Sequence, residues 1–171
     1  MENKADLRLR AKSIRKSLNL MEISENIVSL IRKNSYYINS KKVMLFHPTR
    51  YEINLLALLN DEKKFYLPKV RGNDLLVCPY CLDDKLEKSN FNILEPCSNP
   101  ESAEGLDLVI VPALMVDKDG YRLGYGGGFY DRFLAKYGEY LKTIVVIPKE
   151  LYVEKLPIDE YDKKLDCVIF A

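Results

Sequence analysis

Leu108-Val109-Ile110-Val111 is a short continuous apolar run, the pattern of a strand buried on both faces of a parallel sheet. Pro112, with no N–H to donate, bars its continuation as a central strand. Asp119-Gly120 supplies a turn. Four of the eight glycines then fall within five residues, in Gly124-Tyr125-Gly126-Gly127-Gly128. Behind them Phe129, Tyr130, Phe133, Leu134 and Tyr137 recur at helical spacing, and Gly138 stands where a left-handed C-terminal cap is expected. A buried parallel strand, a glycine loop and a helix in that order confine the chain to the α/β class. Clustered glycines before a helix let backbone N–H groups approach a polyphosphate without Cβ obstruction, and the helix terminus adds partial positive charge. A glycine-rich turn without a ligand fits the same string, whose spacing is neither the Walker nor the dinucleotide pattern.

The rest of the chain extends the alternation. A helix is expected over residues 3–18, with Leu7, Ala11, Ile14 and Leu18 on its apolar face and Lys4, Arg8, Lys12, Arg15 and Lys16 on a solvated one. A second helix is expected from Leu20 to Lys33, with Asn19 as N-cap and Glu22 completing a capping box. Strands are expected near 43–46, 65–67, 75–77, 108–111 and 143–147, with helices between several of them. Four of these run into Pro48, Pro68, Pro112 and Pro148. In open α/β sheets ligands gather beyond the carboxyl ends of strands, so polar residues distant in sequence can converge there.

Length and charge bound the function. A chain of 171 residues suits one domain, able to bury about 70% of its unfolded surface. Twenty-six basic against 25 acidic side chains leave a net charge of +1, which argues against a broad nucleic-acid footprint. The charges in the first twenty residues exclude a secretory signal, and the longest apolar run, 108–116, is too short for a bilayer. A cytoplasmic protein with no obligate protein partner evident is expected.

The segment 107–134, with Val111-Pro112, Asp119-Gly120 and Arg122-Leu123-Gly124-Tyr125-Gly126-Gly127-Gly128-Phe129-Tyr130-Asp131-Arg132, resembles the signature of the 5-formyltetrahydrofolate cyclo-ligase family, the methenyltetrahydrofolate synthetases. Shorter segments agree in order. Lys4-Ala5-Asp6-Leu7-Arg8 resembles the family's amino-terminal Lys-x-x-x-Arg, and Glu52-Ile53-Asn54 with Phe65-Tyr66-Leu67-Pro68-Lys69 its acidic segment and proline-ended strand. Leu94-Glu95-Pro96 is similar to its Glu-Pro element, and 157–166 to its carboxy-terminal acidic pattern. Tyr161 departs from it, where many relatives carry His or Asn.

The resemblance implies a single domain over residues 1–171 with a three-layer α/β/α fold and a mainly parallel, Rossmann-like central sheet. It implies ATP- and Mg²⁺-dependent conversion of 5-formyltetrahydrofolate to 5,10-methenyltetrahydrofolate, with release of ADP and phosphate. Lys4 and Arg8, one i,i+4 step apart on a helix face, are then expected to hold ATP together with residues 122–130, that is Arg122, Leu123, Gly124, Tyr125, Gly126, Gly127, Gly128, Phe129 and Tyr130. Lys12 and Arg15 are weaker candidates. Asp131, otherwise a partner for the helix dipole, and Asp162 are the implied Mg²⁺ ligands, since Mg²⁺ takes one or two carboxylates beside phosphate oxygens. Glu52, otherwise a dipole partner, is the implied pterin contact, and residues 126–130 border the folate as well. No side-chain nucleophile is required. Lys69 and Arg71 are guesses for the glutamyl tail, and His47, the only histidine, reads as structural. A folate- and nucleotide-binding relative without turnover is the nearest alternative.

Outside the family the rival is Cys78-Pro79-Tyr80-Cys81, a dithiol spacing found in oxidoreductases. A redox pair requires its first thiol at a helix N-terminus. A zinc site from Cys78, Cys81, Cys97 and Cys167 lacks ligand spacing in its second pair, so four reduced thiols are the expected state.

Overall fold

In the computed structural model, which describes residues 2–171, helix α1 (Lys4–Lys16) starts at Asn3, whose side chain accepts the Asp6 N–H at 2.9 Å. Helix α2 (Leu20–Lys33) starts at Asn19, whose Oδ1 accepts the Glu22 N–H at 3.2 Å. Half of the expected capping box forms: the Glu22 carboxylate meets the Asn19 side-chain amide at 3.3 Å rather than its backbone N–H. A short α3 (Ser35–Ile38) follows at once. Next come β1 (Lys42–Met44), β2 (Lys64–Arg71), β3 (Asp74–Pro79), the hairpin β4 (Leu86–Lys88) and β5 (Leu94–Pro96), and β6 (Leu108–Val111). After them come β7 (Met115–Asp117), β8 (Arg122–Leu123), α4 (Phe129–Tyr137), β9 (Lys142–Ile147), β10 (Tyr152–Val153) and β11 (Cys167–Phe170).

Six strands form the central sheet in the order β11-β9-β6-β1-β2-β3, parallel throughout except for the β2–β3 hairpin at one edge. Side-chain alternation splits the apolar strands between two cores. Met44, Val109, Val111, Val145 and Ile147 pack on one face with Leu7 and Ala11 of α1 and Phe133 and Leu134 of α4. Val43, Leu45, Leu108, Ile110, Ile144 and Val146 pack on the other with Ile27, Val28 and Ile31 of α2. Helices on both faces of a mainly parallel sheet are the three-layer α/β/α arrangement expected. The connections differ from expectation, because the β1–β2 crossover holds only a 3-10 turn, Leu56–Asn60, instead of a helix. α1 stops at Lys16, so Leu18 lies outside it.

Two local readings are corrected. Pro68 does not end its strand but sits inside β2. Val70, two residues on, sends its N–H to the Glu95 carboxylate at 2.7 Å, so the Pro68 nitrogen also faces away from β3, on the side where the pairing with β1 has already ended at Met44–Tyr66. No ladder bond is lost there. Gly138 is not left-handed: its φ is −61° and its N–H returns to the Leu134 carbonyl. The requirement for glycine is spatial, since a Cβ there would stand 2.5 Å from the Leu134 oxygen. Gly138→Ala is therefore expected to cost about 1 to 3 kcal/mol through a backbone shift in the last turn of α4. An unchanged midpoint in chemical denaturation would show that the turn yields without cost.

Candidate active site

The strand order reverses between β1 and β6: from β1 the chain moves to β2 on one side, and its later strands β6, β9 and β11 fill the other. Such a switch point opens a crevice at the strands' carboxyl ends. A cavity of about 940 Å³ lies there, reached by Phe46 and His47 beyond β1 and Pro112 beyond β6. α1 contributes Lys4 and Arg8, the turn after β1 Glu52, the stretch from β8 into α4 residues 122–132, and a late loop Asp159 and Asp162.

The glycine loop is packed by guanidinium groups. Arg8 Nε donates to the Gly124 carbonyl at 2.8 Å, and its guanidinium lies against Gly126, whose φ of +105° an L side chain rarely adopts. A Cβ on Gly124 would stand 2.7 Å from Arg122 Nη1. Gly128, at φ +71°, is the N-cap of α4 and offers no side-chain oxygen to the first turn. Arg122 itself is buried: Nη1 donates to the Pro112 carbonyl at 3.0 Å, its guanidinium lies 5.3 Å from the Tyr130 ring centre, and Nε has no partner among the described residues. Burial pushes its pKa down, opposed by the Asp131 charge, whose nearest oxygen is 3.9 Å away. Burial likewise raises the Asp131 carboxyl above its ordinary range, against the pull of Arg122.

Lys4 Nζ donates to Asp162 Oδ2 at 2.7 Å and to Asp159 Oδ2 at 2.9 Å. Burial alone would lower its pKa, but these two hydrogen bonds outweigh it and the ammonium is held above its usual range. Glu52 is braced from two sides, one oxygen accepting the Thr49 N–H at 2.8 Å and the other the Tyr125 hydroxyl at 3.1 Å.

All fourteen site residues expected from the sequence line this one cavity, Lys4, Arg8, Glu52, Arg122 through Asp131 and Asp162. His47 also borders it, with a pKa lowered mainly by burial. The weaker candidates stand elsewhere. β2 turns Pro68 and Val70 to the cavity, leaving Lys69 and Arg71 off it. Lys12 borders a separate cleft of about 300 Å³. Arg15 is not solvated but buried at 2% exposure, donating to the Tyr51 carbonyl at 2.9 Å and to the Ala113 carbonyl, because those two turns leave backbone acceptors under α1. The dithiol reading fails: Cys78 is buried within β3, where burial pushes its thiol up, and Cys81 is exposed in the turn beyond. All four cysteines are free, and among the described residues no group of three or more His, Cys, Asp or Glu forms a metal cluster. No helix described is long and apolar enough to cross a membrane.

The β4–β5 hairpin was not expected at the cavity. It brings Phe91, edge-to-face on Phe129 with ring centres 5.9 Å apart, and Ile93. Its strands, Leu86-Glu87-Lys88 and Leu94-Glu95-Pro96, are too short to show alternation, and the cues are the polar turn around Asn92, which has φ +58°, and the Glu-Pro resemblance of the second strand.

A model of the 5-formyltetrahydrofolate cyclo-ligase family matches residues 1–171. The chain is 28% identical over 185 residues to the 5-formyltetrahydrofolate cyclo-ligase of Mus musculus, covering 98% of this chain and 91% of the mouse protein. It is 27% identical over 182 residues to that of Haemophilus influenzae, covering 96% and 95%. The solution structure of Aquifex aeolicus 5,10-methenyltetrahydrofolate synthetase superposes with a TM-score of 0.82 at 31% identity, over 98% of this chain and 89% of that one. With its signature, its mainly parallel sheet and its full length all matched, the chain belongs to the 5-formyltetrahydrofolate cyclo-ligase family.

Proposed function

We propose that this cavity holds ATP, with Mg²⁺, beside 5-formyltetrahydrofolate, and that the protein closes the folate ring to 5,10-methenyltetrahydrofolate at the expense of ATP. The observation that carries the reading is the convergence, in one cavity, of a cationic glycine loop, two amino-terminal cations, a braced carboxylate and two further aspartates from remote segments. At about 940 Å³ the cavity lies at the top of the roughly 300 to 1,000 Å³ range of single-ligand sites, which suits two substrates held side by side.

Lys4, Arg8 and the N–H groups of residues 124–128 hold the phosphates, and Arg122 lends a buried positive charge behind them. Glu52, positioned by Thr49 and Tyr125, accepts N–H donors of the reduced pterin with its remaining lone pairs. Phe91 and Phe129 offer ring faces to the folate. Asp131 and Asp162 are hard oxygen donors facing the phosphate side and fit Mg²⁺, which supplies charge neutralisation at the transferring phosphoryl group. With both substrates aligned, the formyl oxygen attacks the γ-phosphorus and ADP leaves, giving an imidoyl phosphate on N5. N10 then attacks the formyl carbon and gives up its proton, and phosphate departs with the formyl oxygen. The residues named align the two substrates and stabilise phosphate charge, and none forms a bond to either. The four free cysteines are in keeping with a cytoplasmic setting, which belongs to the same reading.

The test is to incubate the protein with 5-formyltetrahydrofolate, Mg²⁺ and ATP and follow the ultraviolet absorbance of the methenyl product. Binding of both substrates without product would leave a binding protein. Glu52→Gln is expected to weaken folate binding by about 1 to 3 kcal/mol, because an amide donor faces pterin donors, while ATP affinity is kept. Calorimetry that finds folate affinity unchanged in this variant would move the pterin elsewhere.

A further inference from the structure

Asp162 meets the chain through one heavily used oxygen. Its Oδ2 accepts both Lys4 Nζ at 2.7 Å and the Asp159 N–H at 2.9 Å, while Asp159 Oδ2 accepts the same ammonium at 2.9 Å. Lys4 thus stands between two carboxylates, where a small hard cation would also be attracted. The Lys4 and Asp162 side chains are only 27% and 13% exposed, so solvent screens this pair less than one on the rim. Asp131 is differently placed, its one salt-bridge partner being Arg122 at 3.9 Å, and Arg122 Nε, in a side chain 6% exposed, has no partner among the described residues. The cavity therefore contains a carboxylate pair bridged by one ammonium that offsets only half of its charge, beside a carboxylate and a guanidinium that are each incompletely satisfied.

These groups respond differently to a metal alone and to a metal arriving with phosphate. A divalent cation that uses Asp162 competes with the Lys4 ammonium for the same carboxylate and, once there, repels it at close range. Without an anion to receive it, the displaced ammonium loses both hydrogen bonds. Phosphate oxygens remove that penalty, because they accept the ammonium as it leaves the aspartates. Resting on the reading above, we propose that Lys4 is a specificity-determining residue: it guards Asp159 and Asp162 against free divalent cations and moves to the phosphates when a metal–nucleotide complex binds. In the exchange the carboxylates trade a singly charged ammonium for a doubly charged metal, and the ammonium trades carboxylates for phosphate oxygens. No covalent bond changes.

The experiment titrates Mn²⁺ into the protein without nucleotide, following free Mn²⁺ by its paramagnetic resonance signal, and repeats the titration with ATP present. Lys4→Met and Lys4→Gln, which remove the charge, are expected to bind Mn²⁺ alone about tenfold or more tighter than the wild type, while binding Mn²⁺–ATP more weakly. Lys4→Arg, which keeps the charge, is expected to stay near wild type for Mn²⁺ alone. If both uncharged variants bind Mn²⁺ no tighter than a wild type that binds Mn²⁺–ATP normally, the exchange is overturned and the proposed function stands. A wild type that binds ATP neither with nor without metal would overturn both.

Discussion

Asp131→Asn is expected to lower turnover by about a hundredfold to a thousandfold while leaving the protein at least as stable as before. The two effects have one cause, since this carboxylate sits half-buried on α4 and its one salt-bridge partner, Arg122, stands 3.9 Å away. Its folded-state pKa lies above the ordinary carboxyl value. A carboxyl shifted in that direction favours the fold in its protonated form, and the benefit is lost as pH rises through the folded-state pKa. Near neutrality the ionised group therefore costs stability that an amide of the same shape does not. Thermal melts should place Asp131→Asn level with or above wild type at neutral pH, with the difference shrinking as pH falls through the carboxylate range. If Asp131 served only the helix dipole, its loss would instead lower stability by about 0.3 to 1 kcal/mol and leave turnover nearly intact. That outcome would remove the metal assignment.

Arg15→Met is expected to destabilise the protein by about 3 kcal/mol, a fall in melting temperature of roughly 6 to 12 °C. Methionine replaces much of the buried volume but leaves the Tyr51 and Ala113 carbonyls without their donor. Those carbonyls belong to the turn that carries Glu52 and the turn that follows Pro112, so folate affinity should fall with stability. A melting temperature within about 2 °C of wild type would show that the two turns hold without the guanidinium.

Periodicity and short motifs revealed the frame of this fold better than its exceptions. The apolar run 108–111 announced the central strand because a doubly covered strand has no polar face. The Asn19 cap and the apolar spacing of α2 were local patterns and were read locally. The helical position of Arg15 alone puts it with the solvated lysines, and backbone acceptors 36 and 98 residues away are invisible to periodicity. Pro68 misled for the opposite reason: its rule holds for a strand paired on both sides, and only the register shows that β1 has ended beside it. At the site, the glycine loop is legible from its clustered glycines before a helix, whereas Lys4, Arg8 and Glu52 stand out only through resemblance to a family. The Phe91 hairpin escaped because two three-residue strands carry too little pattern to be seen.

The ion pair between Lys4 and Asp162 joins positions 158 residues apart, and the helix that carries Lys4 buries Leu7 and Ala11 in a core shared with Leu151 and Leu156. At a synthesis rate of about 5 to 20 residues per second, Lys4 is added about 8 to 30 s before Asp162. For that interval its apolar stripe lacks these late partners, which makes the nascent amino-terminal helix a segment for holding chaperones to shield. The side of the cavity built from Lys4, Asp159 and Asp162 is therefore completed only when nearly the whole chain has been made, shortly before β11 closes the edge of the sheet.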